Sequence, residues 1–254
     1  MLEIVQIPVL NDNYLYLLHD QNTGDTAIVD PAVDEPVFAE LEKRGWSLTH
    51  IINTHHHWDH TGANLALKEK YGLKIIGPKA EAERIPGIDL AVGDGDTINI
   101  GNSIAAVFDT PGHTSGHIVY HFEHDKALFA GDTIFAMGCG RLFEGTAAQM
   151  WDSLSKIMAL PDDTRIFCAH EYTMANAKFA LSVEPENRDL IKRVHEVEHK
   201  RAAGLPTIPT CIEIEKKTNP FLRPMSEHLQ ETIGMAGRDI VDIFAETRRL
   251  KDNF

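Results

Sequence analysis

The chain has 254 residues, of which 43% are hydrophobic and 24% are charged, values typical of one or two folded domains in water. Its 24 Lys and Arg residues against 38 Asp and Glu residues give a net charge of −14. Such a charge argues against nucleic acid and anionic membranes as partners. The N-terminus lacks a basic segment followed by an apolar run, and no stretch is long enough to span a bilayer. We therefore expect a cytoplasmic protein with no nucleic-acid or membrane partner. The expected oligomeric state is a monomer, although no sequence feature fixes it.

The first third of the chain predicts short strands alternating with helices. The predicted strands are 3–7, 14–19, 26–30, 50–53 and 73–77. A helix is expected from Asp34, as its N-cap, to Gly45, as the residue that stops it. A second helix is expected over 62–71, where Gly72 ends it.

Three later segments share one property. The predicted strands are 104–108, 127–130 and 165–168, and each is followed by a residue type that binds metals: His113, Asp132 and His170. The strand over 50–53 also runs directly into such residues. Because α/β sheets place their sites at the carboxyl ends of strands, we expect these side chains to converge.

The last third is helical by pattern. The predicted helices are 174–181, 187–203 and 239–251. We therefore expect two domains, a larger one over 1–172 and a smaller helical one over 173–254.

The stretch 54–60 carries four histidines and an aspartate between His55 and His60. Imidazole and carboxylate are the usual ligands of zinc and iron. In an extended loop, His55, His57 and Asp59 would point to one side, and His60 would begin a turn. His56 is then expected to point away, Trp58 to be a packing residue, and the later His117 to be packed or to support a ligand.

One metal ion cannot use all the candidate ligands and keep an open position, so the sequence predicts two ions. Two sets of three residues and a bridging carboxylate are expected: His55, His57 and His113; Asp59, His60 and His170; and Asp132. Zinc is the expected metal, and iron or manganese would accept the same nitrogen and oxygen donors. Metal coordination lowers the pKa of water to about 7, so the implied chemistry is hydrolysis.

These ligands, in this order, resemble the metallo-β-lactamase superfamily over about residues 1–172. The resemblance implies an α/β fold, an αββα sandwich with a binuclear site at one edge of the two sheets. Further segments are similar to the glyoxalase II family of hydroxyacylglutathione hydrolases: 138–146, 170–173, 219–223 and 248–252. That family converts S-D-lactoylglutathione and water to D-lactate and glutathione, which completes methylglyoxal detoxification.

The resemblance implies that the domain over 1–172 is catalytic and that the helical domain over 173–254 binds the substrate, and it assigns roles to individual residues. Asp59 and Asp132 would act in catalysis as well as binding metal, Asp59 by orienting a metal-bound hydroxide. The residues at the family's glutathione-binding positions are Arg141, Phe143, Tyr172, Arg248 and Lys251. Because glutathione is a net anion, the three cations would form a basic island on an acidic protein. Arg141 stands where other members have Lys, and Phe143 stands where some have Tyr, so Phe143 can only pack or stack.

Three alternative functions are less consistent with the sequence. A mononuclear iron persulfide dioxygenase of the same superfamily also acts on glutathione derivatives, and the segments 219–223 and 248–251 argue against it. A nuclease or phosphodiesterase is disfavoured by the negative charge. A non-catalytic metal-binding protein would leave the complete ligand set idle.

Overall fold

A computed structural model describes residues 1–254. Contacts divide the chain into two compact units: Met1–Asp109 with Ser115–Gly131, and Thr110–Thr114 with Asp132–Phe254. The second unit therefore includes residues 132–172, which the sequence pattern places in the first domain. The domain boundary expected at residue 172 stays a prediction.

A six-stranded sheet, with its strands in chain order, forms one layer of the first unit. The strands are β1 (Glu3–Val9), β2 (Asn13–His19), β3 (Thr26–Val29), β4 (His50–Ile52), β5 (Lys74–Pro78) and β6 (Leu90–Val92). Strands β1 to β3 pair antiparallel, and β3 to β6 pair parallel. All of these strands except β6 were predicted.

Helices cover the apolar side of this sheet. They are α1 (Glu35–Arg44), α2 (Trp58–Thr61) and α3 (Asn64–Tyr71), with a 3₁₀ helix at Lys79–Arg84. Helix α1 starts after Asp34 and ends at Gly45, whose φ of 68° is left-handed, as the sequence predicts. Leu41 and Leu67 of the helices pack in one cluster with Ile51 and Ile75 of the sheet. Burying each such side chain contributes about 1.5–3 kcal/mol.

An antiparallel meander forms the second layer of the first unit. Its strands are β7 (Thr97–Ile100), β8 (Ser103–Asp109), β9 (Ile118–Phe122) and β10 (Ala127–Gly131). Both β8 and β10 pair antiparallel with β9, so they run in the same direction and end at the same edge. The ring centroids of Tyr16 and Phe129 lie 5.7 Å apart, and the Tyr120 hydroxyl donates to the Asn53 carbonyl at 2.8 Å. The two layers therefore pack face to face.

The second unit is mainly helical. Its elements are β11 (Ile134–Phe135), β12 (Gly138–Cys139), α4 (Ala147–Met158), β13 (Arg165–Cys168), α5 (Thr173–Val183), α6 (Arg188–Ala202), β14 (Thr210–Cys211), α7 (Ile212–Thr218), α8 (Glu227–Thr232) and α9 (Ile240–Asp252), with a 3₁₀ turn at Pro220–Leu222. The predicted helices α5, α6 and α9 are confirmed, and the Asn187 side chain caps α6 as predicted. Helix α4 was missed, although Thr146 and Gln149 form a capping box at its start.

A buried ionic network holds the second unit together. The Glu215 carboxylate accepts hydrogen bonds from Arg193, from the Met137 backbone N–H and from the Asn219 amide. Asn219 also donates to the carbonyls of Phe135 and Gly138. The segment beginning at Asn219 therefore fixes the β11–β12 hairpin to α7.

The three cysteines are free thiols. Burial raises the pKa of the Cys139 thiol to about 11, and it also raises the pKa of Cys168. Both stay protonated at neutral pH, so neither is suited to bind a metal as a thiolate. No helix of the protein combines the length and apolarity that crossing a membrane requires.

Candidate metal centre

The histidine loop, residues 54–60, leaves the carboxyl end of β4 and enters α2. The Nε2 atom of buried His55 lies 3.0 Å from Nδ1 of His57, so these side chains point to one side as predicted. The extended loop predicted as far as Asp59 is wrong, because the chain turns into α2 at Trp58. Asp59 and His60 consequently share one helical turn, with Asp59 Oδ2 3.6 Å from His60 Nε2.

Asp30, to which the sequence pattern gives no role, anchors this loop. It is buried just past β3 in a left-handed conformation, with φ of 49°. One carboxylate oxygen accepts the Thr54 N–H at 2.8 Å, and the other accepts the Thr54 hydroxyl at 2.7 Å and lies 3.0 Å from His60 Nδ1. The Thr54 hydroxyl lies in turn 3.1 Å from His55 Nδ1. These contacts leave the Nε2 atoms of both histidines to face a metal.

Three neighbours of the loop complete its surroundings. His56 points away as predicted, and its Nδ1 lies 2.6 Å from the buried carboxylate of Glu81. The ring of His117 stacks on that of His55, with 4.8 Å between centroids. The prediction that Trp58 is a packing residue is wrong, because its side chain is 70% exposed. A helix of four residues is too short for periodicity to define a buried face.

In the second unit, Asp132 lies between two histidines. Its Oδ2 atom is 3.3 Å from His113 Nε2, and its Oδ1 atom is 3.4 Å from His170 Nε2. His113 Nδ1 donates to the Arg141 carbonyl at 2.9 Å, which directs Nε2 towards Asp132. All three side chains are buried. A carboxylate with one oxygen facing each histidine has the geometry of a bridging ligand.

The spacing of these donor atoms fits metal coordination. Ligands about 2.0–2.2 Å from a tetrahedral ion lie about 3.3–3.6 Å apart, and the four donor pairs are 3.0 to 3.6 Å apart. The histidine and aspartate clusters are therefore compatible with a binuclear metal site. Asp30, His55 and His60 could also hold an ion, but both Asp30 oxygens already accept hydrogen bonds from Thr54.

The three predicted cations, which we name the basic cluster, are Arg141, Arg248 and Lys251. Arg141 and Arg248 both face the same oxygen of Asp252, at 3.9 Å and 2.9 Å. Burial first, and then the charges of Arg248 and Arg141, lower the pKa of Lys251. Arg248 is only 5% exposed and donates to the Cys139 carbonyl at 2.9 Å. It also pairs with Asp252 at 2.9 Å and lies over the Phe221 ring. Arg248 therefore holds β12 against α9.

Two aromatic residues predicted to contact the substrate lie beside predicted ligands. The Tyr172 ring stacks parallel on the His170 ring, with 4.7 Å between centroids. The Phe143 ring centroid is 5.2 Å from that of His113, and the side chain is 62% exposed. Both aromatic side chains thus lie beside predicted metal ligands and keep part of their surface exposed, 38% for Tyr172.

Comparisons with known proteins first define the class. The model of the metallo-β-lactamase superfamily matches residues 11–170. The crystal structure of ETHE1 from Myxococcus xanthus is similar, with 25% identity, a TM-score of 0.69, and coverage of 100% of this chain and 90% of that chain. The B3 metallo-β-lactamase BLEG-1 shares the fold, with 23% identity, a TM-score of 0.67, and coverage of 87% of this chain and 100% of that chain. Fold and site thus define a metallo-β-lactamase-type protein, and the predicted fold class is confirmed.

More similar relatives then define the family. The model described as the C-terminus of hydroxyacylglutathione hydrolase matches residues 171–254. A hydroxyacylglutathione hydrolase of Methylococcus capsulatus is 54% identical over 254 residues, covering 100% of this chain and 99% of the relative. One from Rhodospirillum rubrum is 53% identical over 253 residues, with the same coverage. The chain belongs to the hydroxyacylglutathione hydrolase family.

Proposed function

We propose that the chain hydrolyses S-D-lactoylglutathione, and other S-2-hydroxyacylglutathiones, to the free 2-hydroxy acid and glutathione. The observation that carries the proposal is the similarity to hydroxyacylglutathione hydrolases over the whole chain, at 54% identity. It includes the C-terminal segment, which holds Arg248 and Lys251. The reaction is the last step of methylglyoxal detoxification.

The metal ligands of this proposal are two triads and a bridge. His55, His57 and His113 would hold one ion, Asp59, His60 and His170 would hold the other, and Asp132 would be shared by both. Each triad is a donor group that could hold a metal ion. The nitrogen and oxygen donors suit zinc, and they also accept iron or manganese.

The chain's own residues prepare the site. Two bound divalent ions supply Lewis acidity and a water whose pKa is lowered to about 7. Asp59 would orient the attacking water by accepting a hydrogen bond from it, and Asp30 keeps the proton of His60 on Nδ1. The leaving thiol of glutathione has an ordinary pKa of about 8.5, so it needs no general acid.

The basic cluster supplies the charge that glutathione requires. Arg141, Arg248 and Lys251 bind its carboxylates, and Arg248 also fixes α9 so that Lys251 is presented. Tyr172 and Phe143 line the approach beside His170 and His113. Because the overall charge is −14, a local group of cations is the part of the surface that attracts an anionic substrate.

One experiment tests the activity together with the cofactor. The loss of the thioester absorbance of S-D-lactoylglutathione is followed over time, and the metal content of the same sample is measured. We expect turnover with about two ions per chain. Turnover that consumes oxygen with glutathione persulfide, combined with one iron per chain and no thioester loss, would favour the dioxygenase alternative instead.

The proposal extends to the state of the protein in the cell. We expect a cytoplasmic monomer that binds neither nucleic acid nor anionic membranes, and the charge of −14 supports the second part. Light scattering after size exclusion and a vesicle-sedimentation assay would test these expectations.

A further inference from the structure

Trp58 is the most exposed aromatic side chain of the protein, at 70%. The other two tryptophans pack on neighbours: Trp46 stacks on His19 with 4.0 Å between centroids, and Trp151 lies 6.1 Å from Phe244. Trp58 stands in α2 between His57 and Asp59. An indole in water lacks the hydrophobic stabilisation that burial provides, and this one stands between two proposed metal ligands.

Leu10 is a second exposed apolar side chain, and its backbone adopts an energetically unfavourable conformation. It lies in the turn between β1 and β2, is 50% exposed, and has a φ of 52°. Leucine is strained in this left-handed region, where glycine or asparagine is the ordinary choice. Strain of this kind clusters at sites that bind ligands.

Hydrogen bonds join the turn of Leu10 to the turn of Trp58. Asn13, at the start of β2, donates from its side-chain amide to the Asp59 carboxylate at 3.1 Å and to the Asp59 carbonyl at 3.4 Å. Leu10 and Trp58, which we name the apolar rim, therefore belong to two turns that are both fixed to Asp59.

We infer that the apolar rim contacts the acyl group of the thioester and determines which acyl groups the enzyme prefers. The inference rests on the proposed function. Glutathione carries two carboxylates and an ammonium, and its carboxylates require cations such as those of the basic cluster. The apolar rim has no charged group, so the part of the substrate that suits it is the acyl group. Trp58 follows a proposed ligand of one ion, His57, and precedes a proposed ligand of the other, Asp59, so its backbone is part of the proposed site. The preferred substrates are consequently 2-hydroxyacyl thioesters with apolar alkyl or aryl side chains.

If the apolar rim contacts the acyl group, kcat/KM should depend on the size of the acyl side chain. Each CH₂ group that is fully buried strengthens binding about fourfold. The rim is open to solvent on one side, so kcat/KM should rise about twofold per CH₂ from S-lactoyl- to S-(2-hydroxyhexanoyl)glutathione. S-mandeloylglutathione, with its phenyl ring, should be preferred over the lactoyl thioester by about tenfold.

The test measures kcat/KM of these three thioesters for the parent and four variants, with metal content determined for each sample. Trp58→Ala should remove the preference for mandeloyl over lactoyl, and Trp58→Phe should keep most of it. Leu10→Ala should flatten the alkyl series. The control is Leu65→Ala on α3, which removes a leucine of comparable exposure, 58%, and should leave all ratios unchanged.

Ratios between thioesters separate this inference from the proposed function. If Trp58→Ala lowers kcat/KM for every thioester by one common factor at full metal content, the rim does not contact the acyl group and the inference is overturned. If Trp58→Ala loses metal, the ratios of Trp58→Phe and Leu10→Ala decide. If the parent hydrolyses none of the thioesters, the proposed function itself fails.

Discussion

The histidine loop and the basic cluster are built in opposite ways. The donors of the loop lie within six consecutive residues, His55 to His60, and Asp30 at the end of the neighbouring strand β3 accepts hydrogen bonds that orient them. The basic cluster joins Arg141 to residues of α9, more than a hundred positions away in the chain. It is partly exposed, and one of its members, Arg248, is buried as an anchor.

The two regions meet different requirements, since a metal site must be rigid and a substrate-binding site must attract its ligand. A metal site requires donor atoms fixed within a few tenths of an ångström, which buried hydrogen bonds provide. A site that binds a flexible anionic peptide attracts it mainly through positive charges at a suitable distance, and exposed cations can provide this attraction. Substitutions in the two regions should therefore change different kinetic constants.

The largest effect is expected for Asp132→Ala. The carboxylate faces both His113 and His170, so its loss should lower the occupancy of both ions. Activity should fall by more than about 100-fold, the upper range for a residue that merely orients a ligand. Metal analysis and kcat measure the outcome, with exposed Asp152→Ala on α4 as the control. An Asp132→Ala protein that retains two ions would show that the bridge is misassigned.

A smaller loss is expected for Asp30→Asn. Asparagine tolerates the left-handed backbone at this position, so the fold should survive. The charge that holds the proton on His60 Nδ1 is lost, and metal affinity should fall about 10- to 100-fold. Chelator competition measures it. Asp34→Asn is the matched control, since Asp34 makes no side-chain cap bond; equal affinities in both variants would contradict the anchoring role of Asp30.

Substitutions in the basic cluster should act on KM. Arg141→Ala and Lys251→Ala should each raise KM about tenfold with little change in kcat, because the glutathione carboxylates keep their charge during the reaction. Arg248→Ala should also lower the melting temperature, since Arg248 is bonded to Cys139 and Asp252.

The control for the basic cluster is the neighbouring Arg249→Ala, whose exposed guanidinium pairs with Glu246. Its KM should match that of the parent. A KM that increases equally in Arg249→Ala would mean that general surface charge, and not the basic cluster, attracts the substrate.

The smallest effect is a pH dependence. Burial, Arg248 and Arg141 lower the pKa of Lys251 below its ordinary value of 10.5. The folded chain thus loses this proton at lower pH than the unfolded chain, so the cost of burying the ammonium applies in full below the folded pKa and is relieved as pH rises towards 10.5. Over the same interval the positive charge disappears, and KM should rise by a few fold.

Lys251→Arg tests that assignment, because arginine keeps its charge throughout this range. The alkaline rise in KM should be absent from this variant. A rise identical to that of the parent would assign the titration to another group.

The sequence by itself determined the chemistry of the site and the ends of several elements. His113, Asp132 and His170 follow apolar runs, and strand ends meet at sheet edges, so the order of residues along the chain already implies their convergence. The helix ends at Gly45 and Asn187 were equally predictable, because capping depends on residues a few positions apart. Asp34 precedes α1 as predicted but makes no side-chain cap bond.

Tertiary structure alone decided which side chains support that chemistry. Asp30, Glu81 and Asn13 reach their partners from 24 to 46 positions away, and no local spacing encodes such pairs. The exposure of Trp58 and the burial of Arg248 were likewise hidden. The type of a residue determines the chemistry of its side chain, but the burial of that side chain depends on which other parts of the chain pack against it.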